Sequence, residues 1–314
     1  MNSVCARFAI GLFLSLAGMA PLHAAEHEAC KVIRMSDPGW TDITATNAVA
    51  SVLLEALGYE PDIKTLSVPI GYESMKNGDI DVFLGNWMPA QSAFVEDLKK
   101  ADAVEIVNRN LEGAKFTLAV PSYVAERGIK DFSDLQKYGE EFERLIYGIE
   151  AGAPANASIE KMIEANDFGL GDWQLVASSE QGMLSQVDRA AAKKGYIVFL
   201  AWAPHPMNNR FDITYLSGGD VYFGPNYGGA EVYTLARTGW PKMCPNGATL
   251  FKNLTFDIAM ENMLMGKILE GEEPKEAAAA WLNENPQSLE KWLAGVTTFD
   301  GGPGLASVKA SLGL

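Results

Sequence analysis

The chain has 314 residues, with 40 acidic against 25 basic side chains and a formal net charge of −15. Such a surface has no general attraction for nucleic acid or an anionic membrane. The length suffices for two domains with cores of their own.

The first segment reads as a secretory signal peptide. Arg7 precedes the apolar stretch Phe8 to Ala20, which is too short to span a bilayer comfortably. Pro21-Leu22-His23-Ala24 then offers a small residue, so cleavage is expected after Ala24 or Ala25. Cys5 lies ahead of the apolar stretch and is not placed for lipid attachment. The mature chain keeps Cys30 and Cys244. In an exported protein these are expected to pair; the alternative is two separate buried thiols.

Strands and helices then alternate. Lys31 to Ser36 is a short apolar strand that runs into Asp37-Pro38-Gly39-Trp40. Asp42 to Leu57 carries Val49, Val52, Leu53, Ala56 and Leu57 at helical spacing, with Thr41 or Asp42 to cap its start and Gly58 its end. A strand is expected over Glu60–Leu66 and a short helix over Gly71–Asn77. The next strand, Ile80–Gly85, runs into Asn86-Trp87-Met88-Pro89. This punctuation predicts a largely parallel sheet.

A second unit begins near Gly113. Phe116–Val120 and Leu145–Ile149 read as strands, Ala157–Ala165 as a helix, Trp173–Ala177 as a strand and Gln181–Lys194 as a helix. The strand Tyr196–Ala201 runs into Trp202-Ala203-Pro204-His205-Pro206. Tyr215-Leu216 and Val221–Leu235 bring the chain back, with Gly224–Gly229 as a turn or hinge. From Asn253 onward the pattern is helical: Phe256–Glu270, Pro274–Asn283 and Pro286–Leu293.

If Cys30 and Cys244 pair, the C-terminal part packs on the N-terminal part and the middle is an insertion. The expected architecture is α/β and bilobal. Residues 25–113 and 226–314 form a discontinuous lobe one, residues 114–225 form lobe two, and residues 1–24 are the signal peptide.

Trp40, Trp87 and Trp202 share one kind of place, just past the end of an apolar strand. Ligands of open α/β sheets bind beyond the carboxyl ends of the strands. Three π faces delivered there suggest an aromatic box for a quaternary ammonium ion, which forms no hydrogen bond through nitrogen but is attracted to ring faces. Packing at loop bends is the plainer reading of each tryptophan, and it is preferred for Trp173, Trp240, Trp281 and Trp292.

With Asp37-Pro38-Gly39-Trp40-Thr41-Asp42, Asn86-Trp87 and Trp202-Ala203-Pro204-His205, the chain resembles the substrate-binding proteins of glycine betaine and choline ABC importers over nearly all of its mature length. Within them it resembles the periplasmic choline binders. The resemblance implies a type II periplasmic binding fold with Trp40, Trp87, Trp202 and Asp42 at the ligand. It also implies Asn156 as a matching asparagine, and Phe116 where the family has a tyrosine. Phe keeps the π face and loses a hydroxyl; Tyr123 and Tyr227 are other candidates for that wall. Asp42 and Asn156 both also suit helix caps. His205 is expected to fix the loop that carries Trp202.

The resemblance further implies choline as ligand, acetylcholine as a related one, and a periplasmic monomer working with an inner-membrane permease and its ATPase. Glycine betaine is the alternative ligand. From another class, a secreted choline-ester hydrolase is the competing reading. No metal-ligand cluster, phosphate-cradling loop or nucleophile elbow appears in the sequence, so no cofactor and no catalysis are expected.

Overall fold

The computed structural model describes residues 25–314. The expected signal peptide, residues 1–24, lies outside them. No helix among the described residues is long and apolar enough to cross a membrane.

Nine strands form one continuous mixed sheet. They are β1 (Val32–Asp37), β2 (Glu60–Thr65), β3 (Val82–Met88), β4 (Val104–Pro121), β5 (Leu145–Tyr147), β6 (Gln174–Val176), β7 (Phe199–Ala203), β8 (Ile213–Tyr215) and β9 (Gly229–Arg237). The order is β2-β1-β3-β9-β4-β7-β5-β6, with β8 added to β4. The outer groups β2-β1-β3 and β7-β5-β6 are parallel, as their intervening helices require. The centre is antiparallel: β9 runs against β3 and β4, and β4 against β7 and β8. The expectation of a largely parallel sheet therefore fails at the centre. The chain crosses there on β4 and β9, whose partners lie far away in sequence, and strand direction is not a local property of sequence.

β4 belongs to both halves of this bilobal α/β molecule. Its residues up to Lys115 pair with β9, and Lys115–Ala119 pair with β7. The register shifts between Leu111 and Ala114, where Gly113 takes a positive φ of 76°. Alongside, Gly228 (φ 70°) lies so close to the crossing strand that a Cβ there would sit 1.7 Å from the Phe116 carbonyl oxygen. Only glycine allows that approach.

The expected helix after Trp40 forms over Thr41–Ala56 (α1), with Gly58 beyond it at φ 90°. Its N-cap is Trp40 itself, with no capping side chain, so neither Thr41 nor Asp42 caps it. β3 and β7 run on through Trp87 and Trp202 and do not end before them. The peptide bonds Met88–Pro89 and Ala203–Pro204, one residue further on in each case, are both cis. The stretch expected to return as Val221–Leu235 opens with the short turns Asp220–Phe223 and Pro225–Gly228 before β9 begins.

The tail helices Ile258–Leu269 and Pro274–Glu284 pack on α1. A disulfide joins Cys30 to Cys244 across a sequence separation of 214. It fastens the start of the first lobe to the returning chain. Asp81 does the same for β1 and β9: its carboxylate takes Arg34 at 2.8 Å and Arg237 at 2.7 Å.

Candidate functional site

A cavity with an empty volume of about 440 Å³, open solvent at its mouth included, lies between the lobes. Its wall is formed by Trp40, Trp87, Phe116 and Trp202, with Asp42, Gln91, Ile149 and Ala155 among the rest. β1 and β3 deliver Trp40 and Trp87 from one side. β4 and β7 deliver Phe116 and Trp202 as direct cross-strand partners. The Trp87 and Phe116 rings meet edge to face, with centroids 6.4 Å apart. The expected residues Trp40, Asp42, Trp87, Phe116 and Trp202 are thus brought together.

Asn156 is not among the wall residues. It is the third residue of the helix Pro154–Glu164, so it is not a cap either. Its carboxamide is spent on backbone: Oδ1 accepts from Ile149 N at 3.0 Å, and Nδ2 donates to Ile149 O at 2.9 Å and Glu150 O at 3.0 Å. It shapes the turn after β5 and so sets the position of Glu150. Tyr123 donates to Gly195 O at 2.8 Å and Tyr227 is half exposed; neither lines the cavity.

The indole N–H groups on the first-lobe side point at carboxylates. Trp87 Nε1 donates to Asp42 Oδ2 at 3.0 Å. Trp40 Nε1 donates to both oxygens of Glu150, at 3.1 and 3.0 Å. A carboxylate at the N–H polarises the indole and enriches the ring face that a cation would meet. Trp202 is steadied by His205, whose ring centroid lies 4.9 Å away in edge contact, and by Asn208, which donates to its carbonyl at 2.8 Å. His205 is buried: its Nδ1 accepts from Met207 N at 2.9 Å and its Nε2 lies 3.1 Å from Glu180 Oε1. The expected role of His205, fixing the loop rather than touching a ligand, fits these contacts.

Glu180 opens the helix Glu180–Ala192 and is buried. Beyond His205 it takes the Thr41 backbone N–H at 2.9 Å and the Thr41 hydroxyl. Gln91 is wholly buried, donates to Gly85 O at 3.0 Å and accepts from the Tyr72 hydroxyl, which fixes the turn after Trp87.

The cavity wall is apolar but for Asp42 and Gln91, and further acids lie behind it. Burial, followed by the charge of Glu180, pushes the Asp42 carboxyl up to about 7. Asp42 Oδ1 is buried with no hydrogen-bond partner. Burial raises Asp37 and Glu150, and it raises Glu261, on the helix behind α1, well above the usual carboxylate range. No lysine or arginine lines the cavity. Arg34 is held by Asp81 and Arg210 by Asp188.

Glu150, Glu180 and Gln91 were not anticipated. A signal was present: Glu150 lies just past the expected strand Leu145–Ile149, as Trp40, Trp87 and Trp202 lie just past theirs, and Glu180 immediately precedes the expected helix Gln181–Lys194. Acids at helix starts are so common, however, that spacing alone does not single them out.

A two-lobed α/β molecule with a cation-suited cavity between its lobes is a ligand-capture protein. The sequence matches the substrate binding domain of ABC-type glycine betaine transport systems over residues 31–284, and the chain belongs to that family. Its fold superposes with a TM-score of 0.90 on an ABC-transporter choline binding protein in complex with choline, 56% identical, covering 91% of this chain and 100% of that one. Against an ABC-transporter choline binding protein in an unliganded semi-closed conformation the TM-score is 0.85, at 57% identity and the same coverage. The glycine betaine/carnitine transport binding protein GbuC of Listeria monocytogenes (serotype 1/2a, strain 10403S) is 32% identical over 166 residues, which is 52% of this chain and 53% of that protein.

Proposed function

We propose that the protein captures choline in the aromatic cavity, outside the inner membrane, as a monomer. It then delivers the ligand to an ABC permease driven by its ATPase. The observation that carries this reading is Asp42. It lines a wall of three tryptophans and a phenylalanine with no cationic side chain in it, and its Oδ1 has no hydrogen-bond partner. The trimethylammonium group gains from ring faces and from the surrounding acids. The hydroxyl of choline donates to Asp42, whereas the carboxylate of glycine betaine would meet it as a like charge. Similarity to the choline-bound relative supports the same ligand. Neither acetylcholine binding nor choline-ester hydrolysis gains support from the relatives.

In this reading residues 25–113 with 226–314, and residues 114–225, are the bodies that close on the ligand. Gly113 and the Gly224–Gly229 segment act as the flexible points. Choline has about seven non-hydrogen atoms, which bounds binding at roughly −10 kcal/mol and allows micromolar to sub-micromolar affinity.

Calorimetric titration of the parent and of Asp42→Asn with choline and with glycine betaine tests the proposal. Choline should bind more tightly to the parent, and the variant should narrow the gap from both sides. Betaine bound as tightly as choline, or a variant with both affinities unchanged, would overturn it.

A further inference from the structure

We infer that Glu150 and Glu180 are specificity-determining residues that make closure of the lobes conditional on a positively charged ligand. The inference rests on the proposed choline reading and adds a test of charge to the test of shape made by the aromatic wall.

Both carboxylates belong to the second lobe, and both reach across the cleft to the same dipeptide. Glu150 grips the Trp40 indole and Glu180 grips the Thr41 backbone and hydroxyl. The residue after that dipeptide is Asp42, with its unpartnered oxygen. Closing the lobes therefore gathers Asp42, Glu150 and Glu180 around the first turn of α1, with Asp37 just ahead of it. Glu180 is faced by donors alone, namely Thr41 N–H, Thr41 O–H and His205 Nε2, which is the pattern that suits a carboxylate.

The gathered acids repel one another: the charge of Glu180 opposes ionisation of Asp37, Asp42 and Glu150. No basic side chain in the cavity wall balances them. The starts of α1, of Pro154–Glu164 and of Glu180–Ala192 supply only partial positive charges. A cation in the cavity provides what is missing and removes the penalty on closure. An uncharged ligand of the same shape meets the same rings but leaves the repulsion in place. The aromatic wall measures size; the two glutamates measure charge.

The test compares choline with 3,3-dimethyl-1-butanol, in which carbon replaces the ammonium nitrogen. Both are titrated into the parent, Glu180→Gln, Glu150→Gln and Thr41→Val, with the radius of gyration followed by small-angle scattering. Choline should compact the parent and the isostere should not. Each glutamine variant should lose choline affinity about tenfold or more, as expected for removing a charge-assisted contact, while its affinity for the isostere holds or rises. The ratio between the ligands then narrows. Thr41→Val removes a donor and no charge, so it should weaken both ligands by a similar factor. If Glu180→Gln fails to fold, Glu150→Gln carries the same comparison. Should the glutamine variants weaken both ligands alike, or the isostere compact the parent as choline does, charge-conditional closure is wrong and choline capture still stands. A parent that binds no choline removes the choline reading, and this inference with it.

Discussion

Trp87 in the cleft and Trp281 in the tail are almost equally hidden from solvent, at 6% and 7% exposure. What separates them is what they touch. Trp281 stacks on Trp292 with centroids 5.8 Å apart, and Trp292 donates to a backbone carbonyl, Thr255 O, at 3.2 Å. Trp87 gives its N–H to the buried acid Asp42 and lines a cavity, and Trp40 gives its own to the half-buried Glu150 and lines the same cavity. Burial alone cannot tell a structural tryptophan from a ligand-binding one. The charge at the indole nitrogen and the space at the ring face can.

The contrast is sharpest in stability. Removing the Cys30–Cys244 bridge with paired serines should cost about 4–5 kcal/mol, near the top of the usual range because the closed loop is long. The tail should suffer with it, since the bridge fastens the returning chain to the first lobe. Non-reducing mass mapping of the parent should find the two cysteines joined, and denaturant melts of the variant give the size of the loss. Trp292→Ala should cost about 3–5 kcal/mol of stability through the cavity it leaves, with choline affinity of the folded fraction unchanged. Trp40→Ala, Trp87→Ala and Trp202→Ala should invert that result. Each should lower choline binding by about 1–2 kcal/mol or more by calorimetry, at a smaller cost in melting temperature. Equal losses of binding from tail and cleft variants would erase the distinction.

Protonation probes the acid side of the comparison. Burial and the charge of Glu180 push the Asp42 carboxyl up to about 7 from an ordinary value of 3.8. A raised acid weakens the folded protein progressively as pH climbs from 3.8 through about 7, because the proton must leave a buried site. A cation favours that departure, so choline affinity should rise between pH 6 and 8 by up to about tenfold. A flat titration across that window would mean that Asp42 is ionised before the ligand arrives. The smallest effect is expected from Phe116→Tyr, which restores the family's hydroxyl while keeping the ring. Choline affinity should shift by less than about 1 kcal/mol, since the π face is already present.

The parts of the site legible in the sequence were those written locally. Asp37-Pro38-Gly39-Trp40 and Trp87-Met88-Pro89 each combine a strand pattern with turn residues within a few positions, so strand end and ring could be read together. Phe116 and Asp42 came through family likeness added to that pattern. Glu150 and Glu180 stayed hidden because their partners, Trp40 and Thr41, lie 110 and 139 positions away. The antiparallel centre was missed for a related reason: strand direction in β4 and β9 follows from how the whole chain crosses. Asn156 is ambiguous in the sequence because an asparagine near a helix start suits a cap, a ligand contact or a backbone brace equally well, and its carboxamide bonds to the Ile149 and Glu150 backbone.

Gly228 does not itself line the cavity, yet it packs on the backbone carbonyl of the wall residue Phe116 with no room for a single added carbon. A screen of random substitutions scored on ligand capture would rank this position beside the box tryptophans. A screen scored on chemical character would pass over it. The recognition surface thus has a hidden stakeholder, a residue whose contribution is the absence of a side chain. Any redesign of the box toward a bulkier ammonium ion has to leave that position alone.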